Sequence, residues 1–383
     1  MRGDQLRAFQ QIRALSARHR ITLVVADSVD PDAAALAAMQ ACCERVILLP
    51  RRRLAMAARL LRALIGQMPL QVAAFESAAL IKTMNTLRAA ASFDLAHVQL
   101  ARLGPMIARL APVPCVLDFV DALSLNMRRR AAMDSGPVGR IAAIEAGRLA
   151  RYERVLCAQA RHAAVCSVLD RDTIGDFPNL HLVRNGVDLE RFPFVPSAQR
   201  GAGVVFVGNL GYFPNVDAAS WFASEVMPRV IAARADARLQ LVGARPAPSL
   251  RTLVARLAGV ELVGEVPDVH PYLARAAVAV VPMRSGSGQQ LKMLEAMAAG
   301  TPVVATSLSA QGLGMIDGEH LLIADEPVSM SMAVLRLLDD PALARRLADA
   351  AHRRVAAQFG WAESNAELER LWLRAADTAA RIG

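Results

Sequence analysis

The feature that most constrains this chain is an alternation. Short, almost continuously apolar segments are separated by stretches with helical periodicity. The pattern predicts strands at Ile21–Ala26, Arg45–Leu49, Asp94–Gln99, Cys115–Phe119 and His162–Ser167. Between them come helices such as Gln5–Ala17, where Leu6, Phe9, Ile12 and Leu15 share a face. A strand apolar at every position is buried on both sides, which is the condition of a parallel sheet covered by helices. The segment from Arg191 to Gly201, with Pro193 and Pro196, has no periodicity and reads as a linker. The rhythm then restarts, with strands at Gly203–Val207, Leu239–Val242, Val260–Val263, Ala277–Val281 and Pro302–Ala305 and helices from Asn215, Ser249 and Gln289.

The expected organisation is α/β, with two Rossmann-like, doubly wound domains facing a cleft. The first domain covers 1–185, a linker 186–202 and the second domain 203–360. A closing helix, 361–383, is expected to pack back on the first domain. Ligands of such sheets bind at the carboxyl ends of the strands. A length of 383 residues with 54% hydrophobic side chains supplies two cores and no case for disorder. Aromatic residues are only 4%, too few for a base-stacking surface.

No apolar run reaches the roughly 18–20 residues of a membrane span. The segment Met1–Arg7 lacks the apolar stretch of a signal peptide, so the expected location is the cytoplasm. Five cysteines (Cys42, Cys43, Cys115, Cys157, Cys166) show no metal-ligand spacing and read as reduced thiols. The net charge of +9 points to nucleic acid, anionic lipid or a phosphorylated substrate. From Arg51 to Ile65, arginines lie beside an aliphatic stripe at helical spacing. That pattern suits either a helix on an anionic membrane surface or an ordinary solvated surface helix.

The chemistry concentrates between Val280 and Ala305. The order there is strand, Gly/Ser loop (Ser285-Gly286-Ser287-Gly288), helix, Gly300, strand. A flexible loop entering a helix presents unpaired N–H groups at the positive end of the dipole, a seat for a diphosphate. Lys292 and Glu295, three residues apart, share a helix face. Lys292 would neutralise a phosphate and Glu295 would accept hydrogen bonds from ribose hydroxyls. Only Lys82 and Lys292 are lysines among 44 basic residues, so a compact ammonium is selected at this position. The bland alternative is an exposed Lys–Glu pair.

This segment resembles the donor-binding motif of glycosyltransferase family 4, the group 1 glycosyltransferases. Among these the chain looks closest to the sugar transferases of bacterial exopolysaccharide clusters. Arg184-Asn185-Gly186-Val187-Asp188 with Phe192 resembles the family's interdomain turn, and Val205 through Asp217 its first C-terminal strand and loop. Leu241 through Pro246 and Val263 through Asp268 follow in family order. The resemblance implies a GT-B fold and a hexosyltransferase that draws on a nucleotide-diphosphate sugar. It implies donor contacts from Gly208, Asn209, Val266, Gly288, Gln289, Gln290, Lys292 and Glu295, with the base meeting backbone near Val266. It also implies a polyprenyl-linked or other glycan acceptor in exopolysaccharide or cell-surface polysaccharide synthesis, and a place on the inner face of the plasma membrane. Two features depart from the family. Ser287 stands where a first glutamate is common, and Asn209 through Asn215 replace an expected Arg and Lys. The anomeric outcome therefore stays open.

In the first domain, Asp118 and Asp121 come where an apolar strand ends. Asp118 reads as structural. Asp121 is the candidate base for the acceptor hydroxyl, or else a helix N-cap. His97 is a second, weaker catalytic candidate. Gly3 and Asp4 look like the family's acceptor-side glycine loop. Met1 then stands where that loop should have begun, and the expectation is a natural start upstream or a weakened first domain. A missing central strand would orphan buried backbone groups at about 1–3 kcal/mol each.

Competing functions leave different marks. A dinucleotide oxidoreductase needs a third glycine that Gly286-x-Gly288 lacks. A GT-B nucleotide-sugar epimerase shares the architecture and would turn over donor without acceptor. A nucleic-acid-binding protein fits the charge but offers no recognition motif, and no nucleic-acid partner is expected. No Asp-x-Asp at a strand end and no His/Cys cluster calls for a metal. Helix dipole and Lys292 are expected to serve instead, with no cofactor.

Overall fold

The computed structural model describes residues 3–28, 33–50, 53–75, 77–134, 136–196, 203–286 and 288–380. The chain divides into Met1–Arg184 with Ser364–Gly383, and Asn185–Glu363.

In the first unit the strands are β1 (Thr22–Ser28), β2 (Arg45–Pro50), β3 (Ala96–Gln99), β4 (Cys115–Val120), β5 (His162–Val165) and β6 (Leu180–Leu182). All pair in parallel, in two ladders, β1–β2 and β3–β4–β5–β6. Among the described residues no strand pairs with both β1 and β3. Gly3 and Asp4, expected in a loop, form the first turn of a helix, Gly3–Leu15. The closing helix runs Trp361–Ala380, and its Leu368, Leu371 and Ala375 form a buried cluster with Leu15, Val116, Ala164 and Val183 of this unit. Its indole Trp372 donates from Nε1 to His97 Nδ1 at 3.1 Å.

That bond places the His97 ring against the last helix. His97 is the second residue of β3, and burial holds its pKa below the usual histidine range, helped by Arg7 and opposed by Asp118. It packs under the last helix.

A buried ion pair ties the first helix to the sheet. Arg7 Nε donates to Asp118 Oδ2 at 2.7 Å, and both side chains are fully buried. Gln11 Nε2 adds a bond to the same oxygen (3.1 Å), and Arg7 also reaches the Arg184 carbonyl (3.2 Å).

The second unit holds one six-stranded parallel sheet in the order β12–β11–β10–β7–β8–β9. Its strands are β7 (Gly203–Val207), β8 (Arg238–Val242), β9 (Val260–Gly264), β10 (Val278–Val281), β11 (Val303–Ala305) and β12 (Leu322–Ile323). From β7 the chain winds one way through β8 and β9. It then returns to the other side of β7 with β10, β11 and β12. The reversal leaves a crevice beside β7 and β10, the switch point at which doubly wound sheets take ligands. The described part of the expected linker is packed on this unit: Phe192 is buried, and the Val187 and Val195 amides donate to the Phe359 and Ala299 carbonyls.

Breaking a buried pair leaves an uncompensated charge, at a cost of about 3–5 kcal/mol. Arg7→Met is therefore expected to lower the stability of the first unit by that order in urea unfolding followed by circular dichroism. A change under about 0.5 kcal/mol, typical of surface substitutions, would show that the pair contributes little.

Candidate functional site

Where the loops after β7 and β8 meet, the backbones approach in a way that only glycine at 243 permits. The Gly208 amide donates to the Val242 carbonyl (3.0 Å) and the Gly243 amide to the Gly264 carbonyl (2.7 Å). Gly243 has φ +149°, and a Cβ there would stand 1.7 Å from Gly208 O. The loops after β7, β8 and β9 are thus stacked backbone on backbone. Leu210 and Ala244 continue the stack with a 2.9 Å bond.

Onto this platform comes Lys292, from the helix Leu291–Ala298. Its N-cap residue, Gln290, makes no side-chain cap bond, and the positive end of such a helix suits an anion. Lys292 Nζ donates to Asn215 Oδ1 at 2.6 Å, reaches Met283 Sδ and Gln290 Oε1 at 3.4 Å, and lies 5.5 Å from the centre of the Phe206 ring. Asn215 in turn donates from Nδ2 to the Asn209 carbonyl (3.0 Å). Gly208 sits under both side chains: an added Cβ would be 3.1 Å from Asn215 Nδ2 and 3.4 Å from Lys292 Cε. Beside them, Arg284 forms a two-point ion pair with Asp217 and lies over the Trp221 ring.

Burial depresses the Lys292 ammonium pKa to about 8, with Glu295 opposing. Burial also pushes the Glu295 carboxyl up to about 7, with Asp268 acting in the same sense and Arg191 and Lys292 against it. Among the described residues no ion pair joins Lys292 to Glu295, so these are not an exposed Lys–Glu pair. Each is an incompletely compensated group on that helix, the electrostatic mark of a candidate ligand site. One further polar atom stands orphaned here: Ser285 Oγ is buried with no hydrogen-bond partner among the described residues.

The remaining donor-side residues divide. Gly288 takes φ +70° and packs its carbonyl against Gly312, where an added Cβ would come within 2.7 Å. Ser287 lies outside the described residues. Gln289 is buried and its Oε1 accepts the Asn185 amide (2.7 Å), so this carbonyl pins the turn at Asn185 rather than facing a ligand. Gln290 is half-buried at the head of the helix. Val266 follows a cavity of about 360 Å³ lined by Arg245, Pro246, Arg251, Leu262, Val263, Gly264 and Glu265. This hollow lies at the ends of β8 and β9, beside the segment where the family resemblance implies the base. Arg245 holds a left-handed backbone, φ +55°. Sequence reasoning missed Asn215 as a site residue, although its place in the stretch replacing the expected Arg and Lys was a signal.

In the first unit Asp121 lies just past the strained end of β4. Val120, β-branched, has φ +65°. Its amide donates to Asp118 Oδ1 (2.9 Å), and its carbonyl accepts from Cys166 (2.9 Å). Asp118 therefore fixes the turn that presents Asp121. The next helix, Leu123–Met133, is not capped by Asp121. Its N-cap is Ala122, whose amide donates to Asp170 Oδ1 (3.0 Å), and the Ser124 amide and hydroxyl both go to Glu153. Burial raises the Glu153 carboxyl to about 7, the Ser124 bonds opposing and the charge of Asp121 adding to the shift.

Among the described residues no group of three or more His, Cys, Asp or Glu side chains is arranged to hold a metal.

A depressed lysine pKa has a sign. The folded state binds fewer protons between about pH 8 and the ordinary lysine range, so the burial penalty is full below about pH 8 and relieved above it. A bound diphosphate favours the ammonium. Affinity for a nucleoside diphosphate is therefore expected to fall as pH rises through about 8, by up to about tenfold per unit. Isothermal calorimetry across pH 7–10 measures this. Lys292→Met should bind more weakly and lose that pH dependence, and an unchanged profile in the variant would refute the assignment.

Known proteins resemble the chain in sequence and in fold. Residues 201–340 match the family model described as Glycosyl transferases group 1. The chain is 32% identical over 190 residues to glycogen synthase of Mycobacterium tuberculosis, covering 47% of this chain and 45% of that protein. It is 29% identical over 199 residues to phosphatidyl-myo-inositol mannosyltransferase of Mycolicibacterium smegmatis, covering half of each. The chain thus spans about half the length of the curated relatives it matches. Sucrose-phosphate synthase from Thermosynechococcus elongatus shares its fold, with a TM-score of 0.70 at 20% identity over 96% of this chain and 92% of that one. So does Anabaena HepE, solved with UDP and glucose, with a TM-score of 0.67 at 15% identity over 96% and 95%. Residues 201–340 are thus similar to the group 1 glycosyl transferases, and the fold is GT-B.

Proposed function

We propose that this protein is a glycosyltransferase that takes a sugar from a nucleoside-diphosphate sugar and delivers it to a lipid-linked glycan acceptor in the synthesis of exopolysaccharide or another cell-surface polysaccharide. The observation that carries this is Lys292, held by Asn215 over the Gly208 loop beside an uncapped helix N-terminus at the switch point of the second unit. In this reading the diphosphate lies against the first N–H groups of that helix, with Lys292 supplying the neutralising charge. Glu295 accepts from ribose hydroxyls, and the base occupies the cavity beside Arg245 and Glu265. Phosphate neutralisation rests on Lys292 and the dipole, with no divalent ion assigned.

The acceptor falls to the first unit. There Asp121 accepts the proton of the attacking hydroxyl as the oxygen bonds to the anomeric carbon and the nucleoside diphosphate departs. Asp118, through Val120, positions it. Two relatives, a glycogen synthase and a phosphatidyl-myo-inositol mannosyltransferase, support hexose transfer and, in the second case, a lipid acceptor. Among the described residues no helix is long and apolar enough to cross a membrane. The enzyme is placed peripherally on the inner face of the plasma membrane, where such an acceptor is presented.

A panel of nucleoside-diphosphate sugars, tested for thermal stabilisation of the purified chain, checks the donor reading. One donor at 100 times its Kd should add about 2.7 kcal/mol of stability. Glu295→Gln should remove most of that gain while leaving the unliganded melting temperature nearly unchanged. Sugar transfer to a polyprenyl-linked acceptor should then fall at least about 100-fold in Asp121→Asn, without loss of donor binding. Conversion of a donor with no acceptor present would point to an epimerase instead.

A further inference from the structure

Two aromatic rings beside the Lys292 site have no part in the donor chemistry described above. Tyr212 is 51% exposed and Phe213 48% exposed. Every other described phenylalanine, tyrosine and tryptophan is buried or half-buried, in a chain where such residues are scarce. Both rings belong to the turn Asn209–Asn215, which brings Asn215 to Lys292.

Local structure does not require them. Tyr212 is the N-cap of the helix Phe213–Trp221, a position that favours Ser, Thr, Asp or Asn, and its side chain makes no cap bond. The turn is held by other groups. The Tyr212 amide donates to the Asn209 carbonyl (3.1 Å) and the Gly211 amide to Asn209 Oδ1 (3.0 Å). The Tyr212 carbonyl accepts from the Asn215 and Val216 amides (2.9 and 3.0 Å). A Cβ on Gly211 would come within 2.7 Å of the Arg245 carbonyl, so the turn is seated directly on the loop after β8. The rings are carried on a rigid mount.

Their position identifies what they meet. Phe213 precedes Asp217 by four residues, so the two share a helix face. Asp217 is the ion-pair partner of Arg284, at the entry to the Gly/Ser loop. Pro214 borders that loop too, since an added Cβ on Gly286 would stand 4.0 Å from Pro214 Cβ. The ring pair therefore flanks the loop that leads into the helix Leu291–Ala298. Half-exposed rings offer roughly 100 Å² each. That is far below the ~800 Å² per partner of a stable protein interface, and it matches the scale of one sugar. A pyranose turns C–H bonds outward on its apolar face, and an aromatic ring presents a negative π-face to them. We propose that Tyr212 and Phe213 hold the hexose of the donor by stacking on its C–H face. The inference rests on the donor reading, in which the diphosphate lies at that helix and the hexose is bonded to it.

The test is isothermal calorimetry with UDP-glucose and GDP-mannose, each beside its parent diphosphate, so that the share of the sugar is read as a ratio of two affinities. Phe213→Leu keeps apolar bulk and removes the π-face. Tyr212→Ser removes the other ring at a position where serine suits the helix start. Each variant is expected to lower affinity for the nucleotide sugar several-fold, and the two together about tenfold or more. Affinity for the diphosphate and the unliganded melting temperature should stay as in wild type. Tyr212→Phe should bind like wild type. If it loses as much as Tyr212→Ser, the hydroxyl and not the ring is the contact, and the proposal falls. Unchanged nucleotide-sugar affinity in the double variant with a raised KM for the glycan acceptor also overturns it, since the rings then serve the acceptor. If neither UDP nor GDP binds the wild type, the donor reading fails and this one with it. If they bind and the double variant leaves the ratio unchanged, only this one fails.

Discussion

The backbone contact between Gly208 and Gly243 is the constraint on which the second unit depends. Three strand-end loops are held together by main-chain hydrogen bonds, and the closest approach leaves no room for a Cβ. Without that approach the turn after β7 would stand off from β8. Asn215 and Lys292 would then lose the floor over which they meet. A site built this way is preorganised by backbone rather than by flexible side chains, so little ordering remains when a ligand arrives. The same glycine at 208 lets the Asn215 and Lys292 side chains lie close over the loop.

Two kinds of buried charge separate the units chemically. Asp118 is surrounded: Arg7, Gln11 and the Val120 amide all donate to it, and Arg7 with these hydrogen bonds holds its carboxyl below the usual range against desolvation. Such a group is satisfied at rest and serves to fix the strained turn beside Asp121. Lys292 and Glu295 are the opposite case. Their pKa values move toward each other, to about 8 and about 7, because burial removes water and no partner fully replaces it. A folded chain that carries such a penalty is stabilised by whatever ligand relieves it, which is why perturbed groups gather at binding sites.

Much of this was legible in the sequence, and the failures have physical causes. Continuous apolar runs reveal strands buried on both faces, so the longer strands of both units were visible. β6 and β12, Leu180–Leu182 and Leu322–Ile323, are too short to show any period. Lys292 stood out because lysine is scarce in an arginine-rich chain. Asn215 did not, since an asparagine near a helix start reads as a cap, and its bond to Lys292 spans 77 positions. The Arg7–Asp118 pair spans 111 positions and appears in sequence only as an acid inside a strand. Gln289 was assigned to the donor by its place in the motif. Only the folded turn shows its carbonyl already committed to Asn185.

The distribution of net charge follows from where the acids go. A charge of +9 shared evenly over a surface would only favour solubility. Here the long helix of the first unit turns both its glutamates inward. Glu153 binds Ser124 and Glu145 takes the Gln71 amide, so that helix keeps basic charge alone on its outside. Burying two carboxylates is costly, and their packing roles could be met by neutral residues. What the arrangement adds is a segregated surface, arginine and aliphatic together, on the unit assigned to the acceptor. The second unit concentrates its unusual electrostatics in a few atoms around Lys292.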